Sequence, residues 1–338
     1  MLKVVWQRML MLVLVLVCVS IATFLISHVV PGNPAQVMAG PHASPETVAS
    51  ISRQLGLDRP LWDQYVTYMQ GLLHGDLGTS ITSRHPVSQD LGAYFPATLE
   101  LVAFAFLLAL VVGVPLAIVA AVKRNSIWDY AARIVSVAGL SLPTFWFGLV
   151  LILLLYGKFG WLPSSGRLSA TLPPPPQITG LYTIDAALTG FWATFWDSVK
   201  HLVLPVLALS YVQLAIIVRQ LRSSMLTVLG SDYVRTARAA GLSTSTVILR
   251  FGLRNALTPV LTIVGISFGS LLGGAVVTET VFGWPGMGNY VVKSIGSLDF
   301  PAIMGFTIVI AIAYVLINLV VDLLNVAMNP EIRRGGAQ

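Results

Sequence analysis

Six apolar runs, each close to the length that crosses a bilayer, constrain this 338-residue chain more than any other feature. A hydrocarbon core about 30 Å thick needs roughly 20 apolar residues at about 1.5 Å of rise each. The runs cover 9–30, 98–121, 134–156, 202–218, 258–278 and 301–325. They are continuous rather than alternating, so they read as helices and not as strands of a barrel. In the third run the only breakers are Gly139, Pro143 and Gly148. Only 10% of the residues are charged and 56% are hydrophobic, which argues against a soluble globular domain and against a disordered chain. The fold class expected is all-α: a polytopic membrane protein of about six transmembrane helices.

The first run follows Lys3 and Arg8, as the apolar core of a signal peptide would. It is too long for that, and it ends at Pro31-Gly32-Asn33-Pro34 with no small-residue cleavage site, so an uncleaved span is expected. The lone cysteine, Cys18, lies in this run; it permits no disulfide within the chain and reads as a buried, inert thiol.

Lys and Arg placement sets the orientation. With both termini in the cytoplasm, 13 of the 20 cations fall on inside segments, and 10 of the 14 acids fall outside. The net charge of +6 is thus a topology signal, and no clustered basic face with interleaved aromatics suggests a nucleic-acid partner. Six of the inside cations lie between Arg219 and Arg254. That segment, 219–257, is helix-prone, with Gly241 placed as a helix stop and a second helical stretch expected over 244–256. Two short helices between two spans would make a compact basic knob; an ordinary positive-inside loop is the alternative. Outside, residues 31–97 read as a small cap with helical stretches near 45–56 and 60–73, the first opened by Ser44-Pro45-Glu46. Pro173-Pro174-Pro175-Pro176 marks extended chain in the second outside segment, 157–200.

Several motifs carry no chemistry. Gly265-Ile266-Ser267-Phe268-Gly269 matches G-x-S-x-G, but it lies inside an apolar helix and not at a strand-to-helix turn. Gly265, Gly269 and Gly273 recur every fourth residue, a spacing that lets a neighbouring helix approach closely. The five histidines include no i,i+4 pair, so no metal site is expected. There is no phosphate-cradling G-x-x-x-x-G-K-[ST], so no ATP hydrolysis and no cofactor is expected in this chain. Glu100, Arg133, Arg219 and Asp322 sit near predicted span ends, where snorkelling accounts for them.

The inside segment reads Arg222-Ser223-Ser224-Met225-Leu226, then Asp232-Tyr233-Val234-Arg235-Thr236-Ala237-Arg238-Ala239-Ala240-Gly241-Leu242, then Leu253-Arg254-Asn255-Ala256-Leu257-Thr258-Pro259. It resembles the cytoplasmic loop carrying the EAA motif in permease subunits of bacterial dipeptide and oligopeptide ABC importers. Aligned by its glycine onto Gly241, the motif's glutamate falls at Arg235, its alanines at Thr236 and Ala237, and its late proline at Arg254, departures that look like the peptide-importer form. Pro31-Gly32-Asn33-Pro34, Leu55-Gly56-Leu57-Asp58, His74-Gly75-Asp76-Leu77-Gly78, Pro96-Ala97-Thr98-Leu99-Glu100 and Thr278-Glu279-Thr280-Val281-Phe282-Gly283-Trp284-Pro285-Gly286-Met287-Gly288 are similar to further blocks of that family, in order along the chain. Leu298-Asp299-Phe300-Pro301 through Asp322 looks most like permeases for D-Ala-D-Ala-type dipeptides.

The resemblance implies a type I ABC importer permease in a bacterial inner membrane, moving dipeptides or short oligopeptides from periplasm to cytoplasm. It divides the chain into a first span (1–30), a periplasmic cap (31–97), a permease core (98–330) and a cytoplasmic tail (331–338). It implies a coupling helix at Asp232, Tyr233, Arg235, Thr236, Ala237, Arg238 and Gly241, seated in a groove of an ATPase subunit. It implies four kinds of partner: a second homologous permease forming a heterodimer, two ATP-binding subunits holding ATP and Mg, a periplasmic or lipid-anchored binding protein, and the lipid bilayer. Glu279, Phe282, Trp284, Pro285, Gly286 and Gly288 would form an outer gate or, equally, a tight structural turn. Related permeases carry nickel chelates, glutathione or haem, and these stay open as cargo. The readings from other classes are an ion-gradient-driven transporter and an intramembrane serine protease built on Ser267.

Overall fold

The computed structural model describes residues 2–29, 34–40, 42–54 and 56–328. Pro31, Gly32, Asn33 and Leu55 of the blocks above, and the expected tail 331–338, lie outside the described residues. The chain is helical throughout its ordered elements. In order these are α1 (Leu2–Val29), α2 (Pro34–Ala39), α3 (Pro45–Gln54), α4 (Leu61–Leu73), α5 (Val87–Val122), α6 (Ile127–Ser141), α7 (Thr144–Leu151), α8 (Tyr182–Thr189), α9 (Trp192–Leu229), α10 (Asp232–Ala239), α11 (Thr244–Thr246), α12 (Arg254–Val281), α13 (Met287–Gly296) and α14 (Phe300–Met328). π-helical turns extend α7 over Ile152–Lys158 and join α11 to α12 over Val247–Leu253.

All six apolar runs fall on helices. Among the described residues four single helices are long and apolar enough to cross a membrane, within α1, α5, α9 and α14. The 28-residue α12 carries the fifth run. The run over 134–156 is not the straight span its composition suggests: α6 and the extended α7 meet at a 109° bend. The cause is local. Pro143 holds φ −64° and ψ 137°, and it pushes Leu142 before it to φ −91° and ψ 133°, so neither residue is helical. The pair still travels along the middle of α9, from Val218 to Leu204. Ala132 clusters with Val218, Leu142 O accepts from Tyr211, and Ile152 and Leu155 pack with Leu204 and Ala208. Glycine sets the spacing, since a Cβ on Gly139 would lie 2.4 Å from Ala215 Cβ.

The core sits where α5, α9 and α12 meet. Its outer layer holds Ala97, Leu101, Val102 and Ala105 against Leu202, Val206 and Leu209 and against Leu271, Leu272 and Ala275. Its inner layer holds Ala109, Ala117 and Ala121 against Ile217, Leu221 and Met225 and against Ala256 and Val260. The buried face of α5 is a stripe of small residues at every fourth position, Ala97, Ala105, Ala109, Gly113, Ala117 and Ala121, interrupted only by Leu101. In lipid, where there is little hydrophobic drive between helices, such a stripe gains its energy from close backbone packing. Gly265 and Gly269 do the same toward α14: a Cβ on either would lie 2.7 Å from Val321 Cγ1 or 2.3 Å from Tyr314 Cε2. Gly273 faces open space.

Exposed aromatics mark two interfaces: Trp161, Trp192 and Trp196 on one side, Trp6, Trp128 and Tyr130 on the other. About 35 Å of α9 separates Trp196 from Arg219, at 1.5 Å per residue, which matches a bilayer core with its margins. Three expectations change. Cys18 is exposed on α1, because α1 lies at the edge of the bundle and packs mainly on α14 and α4. The helix expected from 98 begins at Val87, whose side chain and that of Leu91 are buried with Met287 and Ala302. Glu100 does not snorkel; it is buried and ion-paired with Arg167.

Candidate functional site

The basic knob expected over 219–257 is short because α9 runs on to Leu229. Ser231 takes an extended conformation before α10, and α10 ends on a Schellman turn. Gly241, at φ +76°, donates to Arg238 O at 3.0 Å, and Leu242 donates to Ala237 O at 3.3 Å. Only glycine takes that φ without strain. On its buried side Val234 and Ala237 pack against Val247, with Val228, Leu229 and Phe251 around them. Asn255 donates to Tyr233 Oη at 3.0 Å and to Phe251 O at 3.0 Å, tying α10 to the start of α12. The second short helix expected over 244–256 is not separate: it continues through the π-helical turn into α12, with Gly252 letting that turn approach Leu229 Cδ2.

The other face of α10 is open. Asp232, Tyr233, Arg235, Thr236 and Arg238 are exposed, as is Gly241, while Ala237 faces inward. Arg235 pairs with Asp232 at 3.2 Å, with side chains 75% and 94% exposed, so the pair holds little energy and both groups stay free to meet a partner. Arg222, from the same basic cluster, is committed elsewhere: its Nε donates to the fully buried Asp129, which also accepts from Arg133 Nη2 at 2.9 Å.

At the opposite end the sequence blocks converge into a collar. Arg167 Nη2 donates to Glu100 Oε2 at 2.6 Å and to Gly180 O at 2.8 Å, and Arg167 Nε donates to the same carboxylate oxygen at 3.1 Å. Thr183 N–H and its hydroxyl satisfy Glu100 Oε1 at 2.8 and 2.7 Å. The Arg167 guanidinium lies 3.8 Å from the Tyr182 ring centre and 5.7 Å from that of Trp284. Trp284 is fully buried and donates Nε1–H to Ala97 O at 2.9 Å. Glu279, also fully buried, accepts from Thr98 Oγ1 at 2.6 Å and from Asn289 N–H at 3.0 Å. A Cβ on Gly286 would lie 2.3 Å from Glu279 Oε1, and one on Gly288 would lie 2.5 Å from Val276 Cα. Phe282 is buried and Pro285 exposed. The stretch 278–288 is therefore a packed, hydrogen-bonded turn in this conformation. Asp299 closes the ring, accepting from Ser80 Oγ at 2.6 Å and Thr82 N–H at 3.0 Å.

Asp185 organises the extended chain after the proline run. Its carboxylate accepts from the N–H groups of Ile178, Thr179 and Gly180 and from Thr179 Oγ1. Burial pushes its pKa up, but the Thr179 hydroxyl and the three amides outweigh it, and the group lies below the ordinary carboxylate value. A lowered folded-state pKa gives stability that is complete above the unfolded value of about 4 and lost as pH falls through the folded one. Asp185→Asn should thus lower the thermal midpoint at pH 7 and flatten its fall as the pH drops below the unfolded carboxylate value of about 4. Parallel pH curves for the two proteins would contradict this role.

The pairs Glu100–Arg167 and Asp129–Arg222 were not legible as pairs. For Glu100 the available signal was a charge at the edge of an apolar run, which locally reads as snorkelling; Asp129, Arg167 and Arg222 carried no local signal of a partner. Ser267 lies within the continuous helix α12.

The described residues thus form a bundle of apolar helices with a buried polar collar at one end and an exposed basic knob at the other. The chain belongs to the family described as binding-protein-dependent transport system inner membrane component, matched over residues 113–334, with that family's N-terminal region matched over 1–102. It is 52% identical to the "Probable D,D-dipeptide transport system permease protein DdpB" of Escherichia coli (strain K12), over 98% of both chains. It is 43% identical to the dipeptide transport system permease protein DppB of the same strain, over 98% of this chain and 99% of the relative. It is 39% identical to the glutathione transport system permease protein GsiC of Salmonella choleraesuis (strain SC-B67), over 98% and 99%. It is thus a multi-pass inner-membrane permease component of an ABC importer, working with ATPase and substrate-binding partners.

Proposed function

We propose that this chain imports dipeptides or short oligopeptides as one half of a heterodimeric channel, beside a second homologous permease. The other components are two ATPase subunits, which hold ATP and Mg, and a binding protein that delivers cargo on the collar side. The chain itself has no ATPase site in this reading. The observation that carries the cargo is the 52% identity, end to end, to a relative named for D,D-dipeptides. The glutathione permease relative is more distant at 39%, and glutathione is itself a small peptide, so it marks a neighbouring specificity.

Coupling in this reading runs through α10. Its buried side grips the ends of α9 and α12, so a push on its exposed side moves two core helices together. The termini and the knob face the cytoplasm, in line with the inside excess of Lys and Arg. Outside, the packed 278–288 turn acts as an anchor between α12, α5 and α13 that a gating motion would carry as a unit.

Reversing both exposed cations, Arg235→Glu with Arg238→Glu, tests the coupling role. Opposed like charges at an interface cost several kcal/mol, so ATPase retention on the purified permease should fall by more than about tenfold, with transport lost and the subunit still present in the membrane. Full ATPase co-purification together with normal peptide uptake would overturn the coupling role of α10.

A further inference from the structure

We propose that α4 is an interfacial arm lying in the outer leaflet of the bilayer, with one side docked on α1 and its apolar stripe in contact with acyl chains. The first support is depth. Tyr65 Oη shares a hydrogen bond of 3.0 Å with Ser20 Oγ, and Gln64 Oε1 lies 2.9 Å from His28 Nε2. The Tyr65 and Tyr68 rings flank Phe24 at centroid distances of 5.3 and 6.2 Å. His28 ends the apolar stretch Met9–His28. Ser20 lies about 12 Å further in along α1, at 1.5 Å per residue. A helix whose tyrosine reaches that level is not held in water above the membrane.

The second support is the distribution of side chains around α4. At 100° per residue, Tyr65, Tyr68 and Leu72 share the α1 side. Trp62, Val66, Met69 and Leu73 form a second, apolar stripe, and Asp63, Thr67 and Gln70 a third, polar one. Trp62 and Leu73, at the two ends of the apolar stripe, are 71% and 81% exposed. Asp63, Thr67 and Gln70 are exposed as well. An apolar and a polar stripe side by side, with tryptophan at one end, is what a helix lying in the interface plane requires. The open side also continues a lipid-facing surface, since Ile21, Leu25 and Ile26 of α1 are exposed at the same depth.

The cysteine content makes a direct test available. In a Cys18→Ala background, which carries no other thiol, nitroxide labels are placed by Trp62→Cys, Leu73→Cys and Thr67→Cys. The full-length permease, in complex with its partners, is reconstituted into phosphatidylethanolamine–phosphatidylglycerol vesicles. Collision with oxygen and with a water-soluble nickel chelate is then read by electron paramagnetic resonance. The oxygen-to-nickel accessibility ratio should be several-fold higher at positions 62 and 73 than at 67. Equally low ratios at all three sites would place α4 in water, and equally high ones would bury it in the bilayer core with no polar side at the interface. Labels at 62 and 73 shielded from both reagents would mean a protein surface covers the stripe, whether the second permease or the binding protein. Each of these results overturns the proposal. Leu73 is the more exposed of the two, so its label gives the answer if the Trp62 substitution disturbs folding.

Discussion

Replacing Arg167 by alanine is expected to cost about 3–5 kcal/mol of stability, because it leaves a buried carboxylate without its cation. Glu100 is 2% exposed and Arg167 8% exposed, so solvent cannot take over the lost contacts. The remaining Thr183 donors satisfy only one carboxylate oxygen. The measurement is the thermal midpoint of the purified permease complex, with membrane abundance as a second readout. Adding Glu100→Gln to the Arg167→Ala protein removes the orphaned charge, so the double variant should recover a substantial part of the loss. A single variant as stable as the parent would overturn the account, and so would a double variant no better than the single.

Trp284→Ala should be of similar size, about 3–5 kcal/mol, from lost transfer energy and the cavity left behind. Trp284 is fully enclosed and clusters with Ala97, Leu101 and Leu271, where the collar meets the core. Trp284→Phe keeps much of the packing and removes the indole hydrogen bond to Ala97 O, which retains its helical partner, so it should cost only about 0.5–1.5 kcal/mol for that bond. Arg167 and Trp284 touch, so their alanine substitutions should not add; the double variant should fall short of the sum by about 0.5–3 kcal/mol. Full additivity would separate the cation from the ring and contradict the collar as one unit.

Local signals carried a large share of this structure. A continuous apolar run needs only its own backbone hydrogen bonds to be satisfied in lipid, so the runs became helical whatever surrounded them, the third as two helices either side of Pro143. The helices opened at Pro45 and Leu61, and the stop at Gly241, also depend on residues within one turn of themselves. The small-residue stripe on α5 was readable too, at the same fourfold spacing that marked Gly265 and Gly269. Reading it would have located the core.

What only the tertiary structure decided is which charges meet and which stretches are exposed. Glu100 is 67 residues from Arg167, Asp129 is 93 from Arg222, and Ser80 is 219 from Asp299. Nothing local sets those pairings, because each joins two segments that only the folded bundle brings together: α5 and the loop before α8, α6 and α9, and the loops before α5 and α14. The same holds for the third span. Pro143 announces a break, but the bent pair follows α9 because Gly139 and Tyr211 fit α6 and α7 to it. By itself the chain's order of residues determined the helices and the basic segment over 219–257, since bilayer thickness and local charge act on each segment separately. The collar, the open face of α10 and the docking of α4 on α1 came only from packing, where each contact depends on two distant segments arriving together.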